Sequence, residues 1–263
     1  MAIPASVFDT QIEQWRRDED LPWWRIKRRQ VQVNLARHLV GRKMRILDAG
    51  GGNGLDSLPL AEQGHHAVIV DYSQAMLADA HTRAGSAGLL DRIELKQADV
   101  AGIGDLFPDE SFDAVLCHNV IQYMPAAYDQ LTLLSSLARL LKPDGVLSLV
   151  SMNRFSAVYA ELFLRGSPTA ALRQIDTDTV QGLMFDAPML IHSAQEACDM
   201  LEAAGLVVAA DYGLLCVTPY WGDNAAKHDP AVYEQLEALE LALSDKLPYK
   251  VLARHYQVMA RRD

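Results

Sequence analysis

Arg45-Ile46-Leu47-Asp48-Ala49-Gly50-Gly51-Gly52-Asn53-Gly54 is the stretch on which the reading of the chain turns. A short apolar run ends at an aspartate and breaks at once into a glycine-rich turn. Such a turn tolerates positive φ and lets another molecule approach the backbone closely. Leu55–Gln63 then suits a helix, so a ligand would lie against the turn and the start of that helix. Working outward, Met44–Asp48, Ala67–Asp71, Ile93–Gln97, Phe112–Cys117 and Gly145–Val150 read as apolar strands. Helical patterns separate them, notably Ser73–Ala84, with Ser73 as N-cap, and Ala126–Leu141. Repeated βαβ units imply a parallel sheet with helices on both faces. Leu206–Val217 and His255–Ala260 read as two closing strands. Ser193–Ala204, ended by Gly205, and Asp229–Leu247 read as helices between and before them.

Two segments fall outside this alternation. Residues 8–40 read as one helical stretch, locally basic through Trp23-Trp24-Arg25-Ile26-Lys27-Arg28-Arg29. Residues 152–190 carry Gly166, Pro168 and Pro188 and show no clear strand, which suits an insertion over the ligand edge of the sheet. The expectation is a single domain over 1–263, with 1–40 and 152–190 forming a small helical cap. At 263 residues and 50% hydrophobic, the chain can bury a large core. A net charge of −10 disfavours long nucleic-acid tracts as partners, though not a local basic patch. Cys117, Cys198 and Cys216 are too far apart for a metal motif or a disulfide framework, which fits a reducing, cytoplasmic setting. Neither a signal peptide nor a membrane span is expected.

Four signals fall on successive strand ends. After the glycine turn comes Asp71, followed by Tyr72; an acid about 20 residues beyond such a turn can accept hydrogen bonds from ribose hydroxyls. Next is Ala98-Asp99-Val100, where a carboxylate and a following N–H suit an adenine edge. The last is His118, with Asn119 beside it and Tyr123 a turn later. Each has an ordinary structural explanation: a turn aspartate, a cap, a packed histidine. Together, at the strand ends where open α/β sheets bind ligands, they select a nucleoside-bearing ligand. Nicotinamide dinucleotide sites read G-x-G-x-x-G; here the spacing is Gly50-x-Gly52-x-Gly54 behind Asp48, which disfavours an oxidoreductase.

The succession Arg45–Gly52, then Val70-Asp71-Tyr72-Ser73, then Leu141-Lys142-Pro143-Asp144-Gly145-Val146-Leu147 resembles the class I S-adenosylmethionine-dependent methyltransferases. The resemblance implies a Rossmann-like α/β fold with a seven-stranded, mostly parallel sheet, and S-adenosylmethionine as cofactor. It places Asp48, Gly50, Gly51, Gly52 and Gly54 along the methionine part, Asp71 on the ribose with Tyr72 adjoining, and Ala98, Asp99 and Val100 at adenine. The chain is also similar to the bacterial methyltransferases that esterify a carboxymethoxyuridine at the tRNA wobble position. That similarity runs through Ala114–Val120, Gly145–Leu149, Asn153, Pro248-Tyr249 and Ala253-Arg254-His255-Tyr256. In that family the histidine after the fourth strand contacts the cofactor, which is His118 here. An arginine of the N-terminal helix reaches the cofactor carboxylate; Arg28 is the first candidate, with Arg25, Lys27 and Arg29 competing. The departure is on the acceptor side, where Leu214–Tyr220 is apolar and the insertion offers Arg154, Arg165 and Arg173.

The resulting expectation is a methyltransferase for a small-molecule or modified-nucleoside acceptor, by O-methylation or carboxyl methylation. A methyltransferase esterifying the carboxymethyl group of a tRNA wobble uridine is the alternative, and a non-catalytic S-adenosylmethionine-binding protein is the rival from another class. A hydroxyl acceptor is helped by a base, a carboxylate is not. Candidate bases are His118 and Tyr123, with His192 or Tyr220 from the cap. Trp23, Trp24, Phe155, Tyr159 and Trp221 could wall an apolar pocket, although such residues more often pack core.

Overall fold

The computed structural model describes residues 5–182 and 187–263; residues 1–4 of the N-terminal segment and 183–186 of the insertion lie outside the described residues. The sheet is built from β1 (Arg45–Ala49), β2 (His66–Asp71), β3 (Ile93–Gln97), β4 (Phe112–His118), β5 (Leu141–Met152), β8 (Val207–Leu214) and β9 (His255–Arg261); β6 (Thr179–Gln181) and β7 (Pro188–Leu190) form a separate antiparallel pair. Its spatial order is β3-β2-β1-β4-β5-β9-β8. The first five strands are parallel, and β9 runs antiparallel to both β5 and β8. Strand order therefore reverses between β1 and β4, and a crevice opens beyond their carboxyl ends.

Both faces are covered, which is why the strands read as continuous apolar runs; every residue of β4 is buried. Leu47, Val68, Val115 and Leu147 pack with Leu134 and Leu137 of α5 (Ala127–Leu140) and Leu201 of α8 (Ala194–Ala203). On the opposite face Ile46 and Leu116 meet Val31 and Leu35 of α2 (Pro22–His38). Ile69 there meets Ala80 of α4 (Gln74–Ser86) and Ala61 of α3 (Ser57–Glu62). Ser73 caps α4 as its sequence suggests, accepting from the Met76 N–H at 3.1 Å.

Three boundaries differ from the sequence reading. The 8–40 stretch is two helices, α1 (Ala5–Asp18) and α2, because Pro22 lacks an N–H and forces Leu21 into an extended conformation (φ −59°, ψ 143°). The insertion is not strandless: besides α6 (Arg154–Tyr159) and α7 (Pro168–Gln174) it holds β6 and β7. β5 begins at Leu141 rather than Gly145, and β8 ends at Leu214, short of Val217.

The second of these ends has a visible cause. Beyond β8 the chain turns through Leu215 (φ 60°), and the N–H groups of Cys216, Val217 and Thr218 all donate to the fully buried carboxylate of Glu240 at 2.6–3.0 Å. Glu240 sits on α9 (Pro230–Leu243) and holds the 215–218 loop against the site. Glu240→Ala leaves three buried donors unsatisfied. Urea titration should show a loss of about 3 kcal/mol or more; a loss below about 1 kcal/mol would mean the loop is held by something else.

Candidate active site

Two connected cavities occupy the crevice. The first, about 440 Å³, lies over the glycine turn. The N–H groups of Gly50 and Gly51 both donate to the Val70 carbonyl, folding the turn back onto β2. Gly50 and Gly52 have φ of +72° and +53°, and a Cβ at Gly51 would stand 2.4 Å from the Asp48 carboxyl carbon. Only glycine fits that last position. Asp48 is buried and accepts from the Ser57 hydroxyl at 2.5 Å. Burial, reinforced by Asp56, pushes its carboxyl up to about 7. Asp71 accepts from the N–H of Gly52 at 2.9 Å and of Ser73 at 2.8 Å, and burial raises its carboxyl above the ordinary range against those bonds. Asp99 accepts from Ala101 N–H at 2.9 Å and lines the same cavity with Val100 and Tyr72.

The second cavity, about 380 Å³, shares Trp15, Leu55, Asp56, Asn119 and Tyr123 with the first. Its walls are largely apolar, from Trp23, Trp24, Val150, Met152, Met189 and Leu215. Set among them are four cations, Lys27, Arg28, Lys227 and Arg254, against one acid, Asp56. Lys27 is 6% exposed and donates to Asn119 Oδ1 at 2.8 Å. Burial, aided by the charge of Arg254 and opposed by Asp56, pulls its ammonium down to about 7. His255 is buried with no hydrogen-bond partner for Nδ1, and burial together with Lys27 and Arg254 keeps it neutral.

The sequence candidates distribute unevenly over these cavities. Asp48, Gly50, Gly51, Gly52, Asp71, Tyr72, Asp99, Val100 and His118 line the first. Gly54 and Ala98 stand behind it: a Cβ on Gly54 (φ +79°) would press on Ile69 at 3.0 Å, and Ala98 donates its N–H to the Asp71 carbonyl. Arg28 lines the second cavity, donating to the Glu19 carbonyl at 2.5 Å. His118 has both ring nitrogens engaged, Nδ1 2.8 Å from Asp56 Oδ2 and Nε2 2.8 Å from Ser148 Oγ. Ser148 in turn accepts from Gln257 at 2.9 Å, and Gln257 from Asn34 at 3.0 Å. This geometry casts His118 as a strut for Asp56 rather than a base open to an acceptor. Burial pushes the Asp56 carboxyl up, but the His118 hydrogen bond and the charges of Lys27 and Arg28 outweigh it and hold the group below its ordinary value. Tyr123 lines both cavities, with its phenol pushed up to about 12 by burial. His192 lies 2.6 Å from Gln130 and lines neither cavity. Of the five aromatics that could have walled a pocket, Trp23 and Trp24 do so in the second cavity.

Residues 46–145 match the family model of a methyltransferase domain. The tRNA 5-carboxymethoxyuridine methyltransferase of Escherichia coli K12 is 26% identical over 221 residues, 84% of this chain and 81% of that protein. The chain carries a methyltransferase domain and is an S-adenosylmethionine-dependent enzyme. Two solved structures share its fold. A methyltransferase from Thermotoga maritima superposes with a TM-score of 0.65 at 16% identity, covering 98% of this chain and 99% of its own. The 1,6-didemethyltoxoflavin-N1-methyltransferase of Burkholderia thailandensis, solved with S-adenosylhomocysteine, superposes with 0.61 at 19% identity, covering 100% and 91%.

The first cavity fits S-adenosylmethionine on its own chemistry. Its volume suits a nucleoside-sized ligand. Its acids, Asp48, Asp71 and Asp99, are of the sign that receives an ammonium and hydroxyl or amino donors. The two whose carboxyls burial has raised, Asp48 and Asp71, are those most in want of such donors. We propose that Asp48 lines the methionine part of the cofactor, that Asp71 receives the ribose hydroxyls and that Asp99 with Val100 meets adenine.

Three participants were given no role at the site by the sequence. Asp56 lies two residues past the glycine turn and fits no motif. Lys227 and Arg254 reach the second cavity from a helical turn (Ala226–His228) and from the residue before β9.

Asp71→Ala should weaken S-adenosylhomocysteine binding by about tenfold or more, since each charge-assisted hydrogen bond is worth ~1.5–3 kcal/mol. An unchanged dissociation constant by calorimetry overturns the ribose assignment. Lys27 supplies a pH test. Its folded-state pKa is depressed to about 7 from 10.5. The unfolded chain therefore binds the extra proton between these values, and the Lys27 contribution makes stability rise with pH across that window. Lys27→Met should be more stable than wild type at pH 6, by up to a few kcal/mol, with the gap closing toward pH 10. A pH-independent difference in urea midpoints counts against the buried charge.

Proposed function

We propose that the enzyme transfers the methyl group to an oxygen of a small organic acceptor held in the second cavity. The observation that carries this reading is the contact between the cavities. Five shared residues join a site of the right chemistry for S-adenosylmethionine to a separate, mostly apolar chamber of about 380 Å³. Methyl transfer from a sulfonium is an in-line displacement, so aligning donor and acceptor and excluding water supply most of the catalysis. Trp15, from α1, and Leu55 shield the junction from solvent on the apolar side, while Asn119 and Tyr123 offer polar contacts there. A carboxylate acceptor needs no base. For a hydroxyl acceptor the amine of Lys27, near neutrality, is better tuned to take a proton than the phenol of Tyr123.

A second reading is favoured by the Escherichia coli relative, whose similarity spans most of both chains: a modified uridine in tRNA as acceptor. The net charge of −10 weighs against it, because phosphate contacts dominate nucleic-acid affinity. Among the described residues no helix is long and apolar enough to cross a membrane, and we place the enzyme in the cytoplasm on its unpaired cysteines. Incubation with labelled S-adenosylmethionine and extract, followed by separation into RNA, protein and small molecules, decides between the readings. Label in the small-molecule fraction is expected; label confined to RNA would replace this reading with the tRNA one.

A further inference from the structure

The cations of the second chamber divide by position. Lys27 is bonded to Asn119, which lines both chambers, so it stands at the junction where the methyl is delivered. Lys227 and Arg254 line only the second chamber and so stand away from the cofactor. Both are desolvated and short of negative charge. Lys227 is 1% exposed; its ammonium donates to the neutral Asn224 Oδ1 at 2.8 Å and lies 5.6 Å from the Trp23 ring centre. Burial lowers its pKa, opposed by the more distant charge of Asp223. Burial likewise lowers that of Arg254, opposed by Tyr220 and by Glu161, and Glu161 is already paired with Arg165 at 2.8 Å. Among the described residues neither cation has a carboxylate within ion-pairing distance. The uncompensated field is felt by a third group, His255, whose ring is kept neutral partly by Lys27 and Arg254 and whose Nδ1 has no partner. Buried cations are ordinarily paired. Here they face a cavity walled largely by tryptophan, methionine, valine and leucine, with Asp56 its one acid.

We propose that the acceptor is an apolar, aromatic-sized organic acid whose carboxylate is anchored by Arg254 and Lys227, leaving a hydroxyl at its other end beside Lys27 and Asn119 to receive the methyl. This rests on the small-acceptor reading above. In the transfer step the hydroxyl oxygen forms the new bond to the methyl carbon as the carbon–sulfur bond breaks. The electron pair of that bond stays on sulfur, giving S-adenosylhomocysteine, and the hydroxyl proton passes to the Lys27 amine and then to solvent. The acid's own carboxylate is not methylated, because it lies at the far end.

The test uses the full chain and two probe pairs, hydroxyphenylpropanoate and hydroxynaphthoate, each beside its primary amide. Calorimetry is run with and without S-adenosylhomocysteine, and methyl transfer is followed with labelled cofactor. At least one acid is expected to bind about tenfold or more tightly than its amide and to yield an alkali-stable, ether-linked methyl group. Arg254→Met and Lys227→Met should each bring the acid's affinity toward that of the amide while S-adenosylhomocysteine affinity is unchanged, which shows that the variants fold. Equal binding of acid and amide, binding of neither, or an alkali-labile ester product would each overturn the proposal. Because the acid–amide comparison is also read without cofactor, a failure here is distinguishable from label confined to RNA, which would remove the small-acceptor reading itself.

Discussion

Opposite charges are segregated across a single seam, and much of the site follows from that. On the cofactor side Asp48, Asp56, Asp71, Asp99 and Asp129 surround one cavity, with no lysine or arginine among its lining residues. On the other side Lys27, Arg28, Lys227 and Arg254 face Asp56 alone. Like charges gathered in desolvated space raise one another's free energy. Burial is the main cause of the upward shift of Asp48, to which Asp56 adds, and of the downward shift of Lys27, which Asp56 opposes. A cationic donor suits the first chamber and an anionic acceptor the second. Two oppositely charged ligands would then be drawn to the two sides of the seam, where transfer of a methyl from a sulfonium consumes the positive charge.

Asp56 is the one acid common to both chambers, and its position is set from inside the core. The line Asn34–Gln257–Ser148–His118–Asp56 runs from α2 through β9 and β5 to the end of β4 and the turn before α3. A buried network of this kind is costly when half satisfied and rigid when complete. Here each side chain along the line has a partner on either side, so Asp56 is fixed by the sheet rather than by the flexible turn that carries it.

The portion of this that sequence made legible is the portion encoded locally. A strand, a glycine turn and a helix need only adjacent residues, so Asp48, Gly50–Gly52, Asp71 and the ends of β3 and β4 could be read from periodicity and turn chemistry. The break at Pro22 is equally local, since a proline there ends one helix and starts the next. What escaped was what folding assembles from afar. Nothing within the helix that carries Glu240 marks it as a core residue; it is fully buried, and three N–H groups 22–24 residues away converge on it. Net charge is silent in a similar way: a sum of −10 over the whole chain carries no positions, so it gives no hint that four cations meet in one cavity.

The same arrangement explains why such a site is tolerable in a folded protein. Each desolvated, unmatched charge subtracts from a net stability that is only of order 5–15 kcal/mol in most domains. The cost is confined to the rim of the crevice, while the sheet beneath is continuous apolar packing on both faces. It is also reversible. Bound ligands that supply the missing counter-charges stabilise the folded state by mass action, so occupancy of each chamber relieves the strain particular to that chamber. Since Asp56 and Lys27 meet at the seam, filling the acidic chamber with a cation lessens the support that Asp56 lends Lys27. The positive side is thereby left with more to gain from an anion. The donor, once seated, favours the acceptor, and S-adenosylhomocysteine, having lost the sulfonium charge, is held less tightly in the acidic chamber than the donor that entered.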